Sequence, residues 1–461
     1  MNSSTSLPNQ FQESTIRPVH LFAAALILPV VLAAAPALAD AQDRFDRSHS
    51  GPFLQLAQRS SKPARRDDAI RARRGEIKQL IKTGKPADAL RQYDELVEQL
   101  GGDDAPLLQE IAVGFITPLL KDMREQMRGA GYTALKELDS GEAVPYFEDG
   151  LSDGSGLVRA LAVEGLGRLK EGRRSPRLRK ALEDSAAIVR VAVLKALGRS
   201  RDRSLIHAIE PAVNDEQPLV RVAAYGALAM LGRANAVDAL RQRAIASNPE
   251  ERSSALRVLA ELRDEMALLL LEQAFSDGQP SVRGAAAAAL GDLGLPQGAA
   301  LAVRALADPI PAVRAAAAVS LGELKAPEST AALTQALADA NPAVRAAAVS
   351  GLVRVGAPHE DIAATLRDLM LNNDPGIRAA GARAITGSTS REAVETLRLL
   401  LQDPLPRPRI AAARALGHMQ GADVIAILKQ ALRDQDEAVR ATAGGALWRA
   451  LEAANKKPRN Q

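Results

Sequence analysis

The 461-residue chain has no cysteine, which excludes disulfides, thiolate metal sites, a cysteine nucleophile and lipid attachment at an N-terminal cysteine. The lack leaves the redox compartment open. Aromatic residues make up only 3% of the chain although apolar residues reach 47%. Alanine and leucine therefore carry the core, which suits close helix–helix packing better than sheets. No large excess of one charge is present. With 59 basic and 55 acidic residues, the net charge of +4 does not argue for nucleic acid. Part of the excess is local, in Arg65, Arg66, Arg71, Arg73 and Arg74. Long apolar runs are scarce too: one, Leu21 to Ala39, reaches spanning length.

That run comes after Arg17 and His20 and ends in Ala37-Leu38-Ala39, before Asp40. A basic edge, an apolar middle and small residues spaced A-x-A are the pattern of a secretory signal peptide, residues 1–39, cut after Ala39. Pro29 and Pro36 fit the cleaved form better than a spanning helix. The sequence thus places the protein in the periplasm or outside the cell. The alternative is an inner-membrane anchor, with residues 21–39 retained. Residues 40–66 are polar, with Pro52 and Pro63, and are expected as a flexible linker.

From residue 67 the pattern turns helical. Ile70, Ile77, Leu80 and Ile81 share a face before Gly84, and Ala89, Leu90, Tyr93, Leu96, Val97 and Leu100 share another before Gly101-Gly102. The spacing of Gly84, Ala89-Leu90 and Tyr93 resembles part of a tetratricopeptide repeat. One copy is visible, so residues 67–104 are expected as a helical hairpin that caps the remainder of the chain.

That remainder is a repeat. Arg128, Arg159, Arg190, Arg221, Arg252, Arg283, Arg314, Arg345, Arg378, Arg409 and Arg440 stand 31 residues apart, except for a step of 33 after Arg345. Eleven copies in register decide the architecture. Pro218, Pro249, Pro280, Pro311, Pro342, Pro375 and Pro406 lie three residues before their arginines and suit the first turn of a helix. Seven residues after each arginine comes leucine or isoleucine, as in Leu290, Leu321 and Ile385, and the position before that one is usually small. Each unit therefore reads as a short helix, a tight turn and a second helix whose small residues permit close neighbours. Recurring glycines such as Gly291 and Gly322 are expected at helix ends. Around Asp122 the turn looks unusual, since residues 123–127 read as continuous helix.

Besides Asp122, eight aspartates lie six residues before their arginines: Asp153, Asp184, Asp215, Asp277, Asp308, Asp339, Asp403 and Asp434. With the valine and the arginine of the frame they carry a resemblance to the HEAT repeat, in the short form first named from phycobilin lyase subunits. The resemblance covers residues 105–454, with 455–461 as a disordered tail. It implies an all-α, right-handed solenoid of about eleven helical hairpins. It also implies a polar ladder between neighbouring units, with Asp308, Arg314, Asp339 and Arg345 among its members. Ala246 and Asn372 depart from the aspartate, so their units are expected to lack a full ladder. Arg345→Ala is expected to cost ~1–3 kcal/mol.

Little points to chemistry. No Gly-rich phosphate loop, nucleophile elbow or histidine–cysteine cluster is present. HEAT-like iron hydroxylases bind metal with several His-Glu pairs, but His359-Glu360 stands alone, so no metal, cofactor or catalytic residue is assigned. The lyase resemblance lies in the repeat, which is not a catalytic signature. The expected function is a non-catalytic, protein-binding scaffold. The alternative is a HEAT-repeat enzyme or enzyme subunit, a lyase or a His-Glu hydroxylase.

The units differ on one stripe. Nine residues after the arginine stand Arg168, Arg199, Met230, Glu261, Asp292, Glu323, Arg354, Gly387, His418 and Arg449. Five after it stand Glu164, Lys195, Gly226, Arg257, Ala288, Val319, Ser350, Arg383, Arg414 and Gly445. In the resembled family the second helices line the concave side. Glu261, Asp292 and Glu323 are then expected to meet a basic patch, flanked by Arg168, Arg199, Arg354, Arg383 and Arg414. Such a surface, on an extended curved body on the order of 100 Å long, suits a protein or peptide rather than a small molecule.

Overall fold

The computed structural model describes residues 51–456, with side chains from Arg66 onward. The expected signal peptide lies outside the described residues, as do residues 457–461. Among the described residues all regular structure is helical, and no helix is long and apolar enough to cross a membrane.

The first helix, Gly51–Lys82, begins inside the stretch expected as linker, with Pro52 in its first turn. Positive φ at Gly84 ends the segment, and Pro86–Leu100 comes next. The two helices run antiparallel, since Arg66 donates to the Gln99 carbonyl at 2.5 Å and Arg73 pairs with Glu95. Ile77, Leu90, Tyr93 and Leu96 are buried between them and the next helix, Ala105–Ile116.

Eleven units complete the chain. Their second helices are Glu125–Leu135, Gly156–Arg168, Ala187–Gly198, Pro218–Met230, Pro249–Glu261, Pro280–Leu293, Pro311–Leu324, Pro342–Val355, Pro375–Ala384, Pro406–Leu416 and Glu437–Lys456. All seven frame prolines are first residues of these helices, as their fixed φ favours. Every aliphatic residue seven after the arginine is buried, Leu135 to Leu447 alike. Each buried leucine contributes roughly 1.5–3 kcal/mol, so the period itself builds the core.

The second helices stack side by side on the concave face. Arg199 of unit 3 reaches Glu261 of unit 5 at 2.9 Å, across a whole unit. This contact needs strong curvature with these helices inside. Close approach of backbones makes the curvature possible. A Cβ on Gly322 would fall 2.5 Å from Gly351 Cα, and one on Gly417 would fall 2.7 Å from Ala446 Cα. The recurring glycines are therefore interior helix positions, not helix ends: Gly291 and Gly322 both lie within helices.

The curvature goes all the way round. The inner helix of unit 11, Glu437–Lys456, packs against both Ala105–Ile116 and the inner helix of unit 1. Cβ atoms on Gly444 and Gly445 would lie 2.6 Å from the Ala112 carbonyl oxygen and 2.5 Å from that of Ala134. Arg449 meets Glu137 at 2.6 Å, the same nine-after pairing that joins Arg354 to Glu323 at 3.5 Å. Lys429 bonds Asp103 at 3.0 Å, and Arg433 bonds Asp94 of the hairpin. The array is therefore a closed ring, not the extended wall expected from the repeat alone, and the hairpin braces the seam.

The turn at Asp122 is also corrected. The chain leaves a 3-10 segment at Lys121 and starts a new helix only at Glu125. Asp122 breaks the continuity by accepting the Arg124 backbone N–H at 2.7 Å and its guanidinium at 2.9 and 2.8 Å.

Candidate functional site

Two polar systems run around the ring. The first is the ladder. In eight units the arginine donates through Nε and Nη2 to both oxygens of the aspartate 25 residues on. Arg314–Asp339 is typical, at 2.7 and 2.9 Å. Its Nη1 returns to the carbonyl six residues back, Asp308 at 2.9 Å. The aspartate also accepts the N–H two residues later, as Asp308 does from Ile310 at 2.9 Å. Planar fork meets planar carboxylate, so the pair fixes register as well as energy. These guanidiniums hold the carboxyls of Asp184, Asp308, Asp339 and Asp403 below the usual range.

Where the aspartate is missing, the arginine finds another acid. Arg221 takes Glu251 at 2.5 Å in the unit of Ala246, and Arg345 takes Asp368 at 2.7 Å in the unit of Asn372. The expected gaps are thus filled, by one Nη2 bond each rather than a fork. At the seam the ladder does stop. Among the described residues Arg440 has no carboxylate partner, and its Nη1 returns to Asp434 and Gln435 carbonyls at 2.8 and 3.1 Å. Asp122, the acid that would close the circle, is held by Arg124 instead, which lowers its carboxyl to about 2. Arg124 also bridges to Glu437 at 2.6 Å.

The second system is the inner face. The nine-after residues Arg168, Arg199, Glu261, Asp292, Glu323 and Arg354 are all exposed there, as expected. The structure adds ion pairs within the face. Glu261 is paired with Arg199, and Glu323 with Arg354, so two of the three acids are neutralised within the face. Burial, with Asp292 nearby, pushes the Glu323 carboxyl up. A groove of about 630 Å³ lies between units 3 and 6, lined by Lys195, Leu219, Met230, Arg257, Glu261 and Asp292 among others. Burial and the neighbouring Arg257 push the Lys195 ammonium down.

Arg383 and Arg414 lie on adjacent inner helices. Two turns nearer the helix N-terminus than Arg414, Arg407 joins them. Its Nη1 lies 3.2 Å from where a Cβ on Gly376 would stand, on the face of Arg383 seven residues away. Burial and then Arg407 and Arg414 push the Arg383 guanidinium down. The sequence reading missed Arg407, and also Leu157, Ile188 and Leu219, which are 52%, 52% and 42% exposed. All four stand two residues before the frame arginine, so two more turns of the same stripe reveal them. Glu137, nine after Arg128, extends the same stripe to the first unit.

His359 opens the outer helix His359–Met370 and lies 3.5 Å from Ser390 Oγ. Among the described residues no three His, Asp or Glu side chains gather to hold a metal.

Several solved structures are similar to this chain. Human deoxyhypusine hydroxylase in complex with glycerol is 22% identical over 54% of this chain and 98% of its own, with a TM-score of 0.31. The CpcE–CpcF complex of phycocyanin lyase from Nostoc sp. PCC7120 is 19% identical over 56% and 92%, with a TM-score of 0.33. A Kap121p mutant is 14% identical over 80% and 50%, with a TM-score of 0.34. No curated protein matches the sequence. HEAT repeats match in five overlapping stretches, 113–190, 175–247, 238–318, 299–386 and 363–448, and with the ladder and paired helices this makes the chain a member of the HEAT-repeat family.

Proposed function

We propose that the protein is a non-catalytic scaffold that holds a segment of another protein against the inner face of its ring. One observation carries the reading. Ladder and core positions repeat unit after unit, while the inner-face positions change from unit to unit and border an open groove. Fixed residues serve the fold, and varied exposed ones on a rigid frame serve recognition. The sequence of residues 1–39 further supports export, with the scaffold working in the periplasm or at the cell surface. Intact mass of the exported protein tests that: retention of residues 1–39 would favour the anchored form.

The absence of cysteine supplies a clean test of the scaffold. Ser281→Cys places a single thiol in the groove, and Arg304→Cys places one on the outer surface, where Arg304 is 69% exposed. A photo-crosslinker on Ser281→Cys is expected to trap one defined protein from the native exported fraction. Equal trapping from both positions, or from neither, rejects the reading.

A further inference from the structure

The inner face carries opposite chemistry on two arcs. Units 5 to 7 bear Glu250, Glu261, Asp292 and Glu323, with Arg257 and the paired Arg199 close by. Units 8 to 11 carry no acid at the positions two before or two, five and nine after the frame arginine. There stand Arg354, Arg383, Arg407, Arg414, His418 and Arg449 instead. Glu323 occupies Arg354, and Glu137 occupies Arg449. Among the described residues Arg383, Arg407 and Arg414 have no carboxylate partner. Burial and then Arg449 push the His418 imidazole down, with Arg168 and Arg414 adding to the effect. Like charges held together on a half-buried surface raise the free energy of the empty protein, and an anion relieves it.

We propose that these arginines, Arg383, Arg407 and Arg414 with Arg168 at the narrow rim, receive an acidic segment of the partner protein, its carboxylates facing the arc. The inference rests on the scaffold reading and names the chemistry of what is held. Size favours a single segment over a folded domain. Inner helices about 8–10 Å apart give a ring of eleven a circumference of about 100 Å, hence a radius of about 16 Å. Removing about 5–6 Å for each helix's own half-width leaves an opening on the order of 20 Å. One rim is narrower still, because side chains two units apart touch there: Arg199 with Glu261, and His418 with Glu137 at 3.9 Å. Arg407 and Arg414 are two turns apart, about 10 Å along the helix. That span lies between the spacings of about 7 and about 13 Å that separate same-face carboxylates two and four residues apart on an extended chain.

The test uses the full chain and a fluorescein-labelled oligoglutamate of twelve residues, monitored by anisotropy. Saturable binding is expected, weakening as salt rises. The double variant Arg383→Glu/Arg414→Glu is expected to weaken it at least about tenfold. Outer-face Arg304→Glu is expected to leave it unchanged. Circular dichroism checks folding, and should the double variant unfold, Arg407→Glu replaces it. No saturable binding, or binding untouched by these variants, overturns the proposal. So does an oligothymidylate of equal length that binds more tightly through the same arginines. If Ser281→Cys still traps one protein while oligoglutamate fails, the acidic chemistry falls and the scaffold stands; if neither binds, both fall.

Discussion

An ordinary junction, such as that between units 7 and 8, and the seam between units 11 and 1 are built differently. At the ordinary junction close backbones and a forked rung act together: Gly322 lies against Gly351, and Arg314 grips Asp339. At the seam the close backbones remain, at Gly444 and Gly445, but the rung is gone. Arg124 holds the acid that Arg440 would take, and exposed pairs to the hairpin stand in for it. The difference separates two roles. Packing closes the ring, and the ladder sets register where consecutive units need it. A lost charge partner strands the other, so registry outweighs raw stability in a forked pair.

The largest expected effect comes from breaking what both junctions share. Gly444→Val or Gly445→Val drives carbons into the Ala112 or Ala134 carbonyl, since a Cβ alone would stand 2.6 or 2.5 Å from its oxygen. Overpacking of this kind costs ~1–3 kcal/mol or more. The chain's single tryptophan, Trp448, lies on the same helix and is 8% exposed. Its emission is expected to shift red in these variants while far-ultraviolet helicity persists. An unchanged spectrum would separate packing from closure.

Next comes the ladder. Arg409→Ala removes a buried forked rung to Asp434 and is expected to cost about 2–3 kcal/mol in urea melts. Arg345→Ala removes one Nη2 bond to the exposed Asp368 and is expected to cost about 1 kcal/mol. Equal losses would mean that fork geometry contributes nothing. Acid tests the rungs of Asp184, Asp308, Asp339 and Asp403 together. Their aspartate carboxyls titrate lower in the folded chain than in the unfolded one. Their contribution is thus complete above the ordinary value of about 4 and is lost as pH falls below it. A melting temperature flat between pH 5 and roughly pH 3 would contradict this.

The smallest effect is expected on the inner face. Asp292→Ala, at an exposed position, is expected to change stability by less than about 0.5 kcal/mol. A large loss would move that residue from recognition to structure.

Much of the ring was legible in the sequence. The register of Arg128 to Arg440 set unit number, helix starts and buried leucines, because each is fixed by neighbours within a few dozen residues. The ladder was legible where aspartate stands six before arginine. Its substitutes, Glu251 and Asp368, were not, since they sit off the frame and are found only by reach. Ring closure was hidden because it joins residues more than 300 positions apart, as Lys429 to Asp103 shows. Its cause was nevertheless present, as small residues that pull inner helices together faster than outer ones. The charges along the stripe were legible but their pairing was not, since the sequence does not say that Glu261 and Glu323 meet arginines of their own chain.

Closure is tested most directly at Glu137 and Arg449, whose side chains meet at 2.6 Å from opposite ends of the array. With Glu137→Cys and Arg449→Cys in a chain otherwise free of cysteine, a short bis-maleimide should join the two thiols within one molecule at high yield. Gel mobility and intact mass read the product. A molecule that instead takes up two separate reagents, one per thiol, at every protein concentration has open ends, and the ring is wrong.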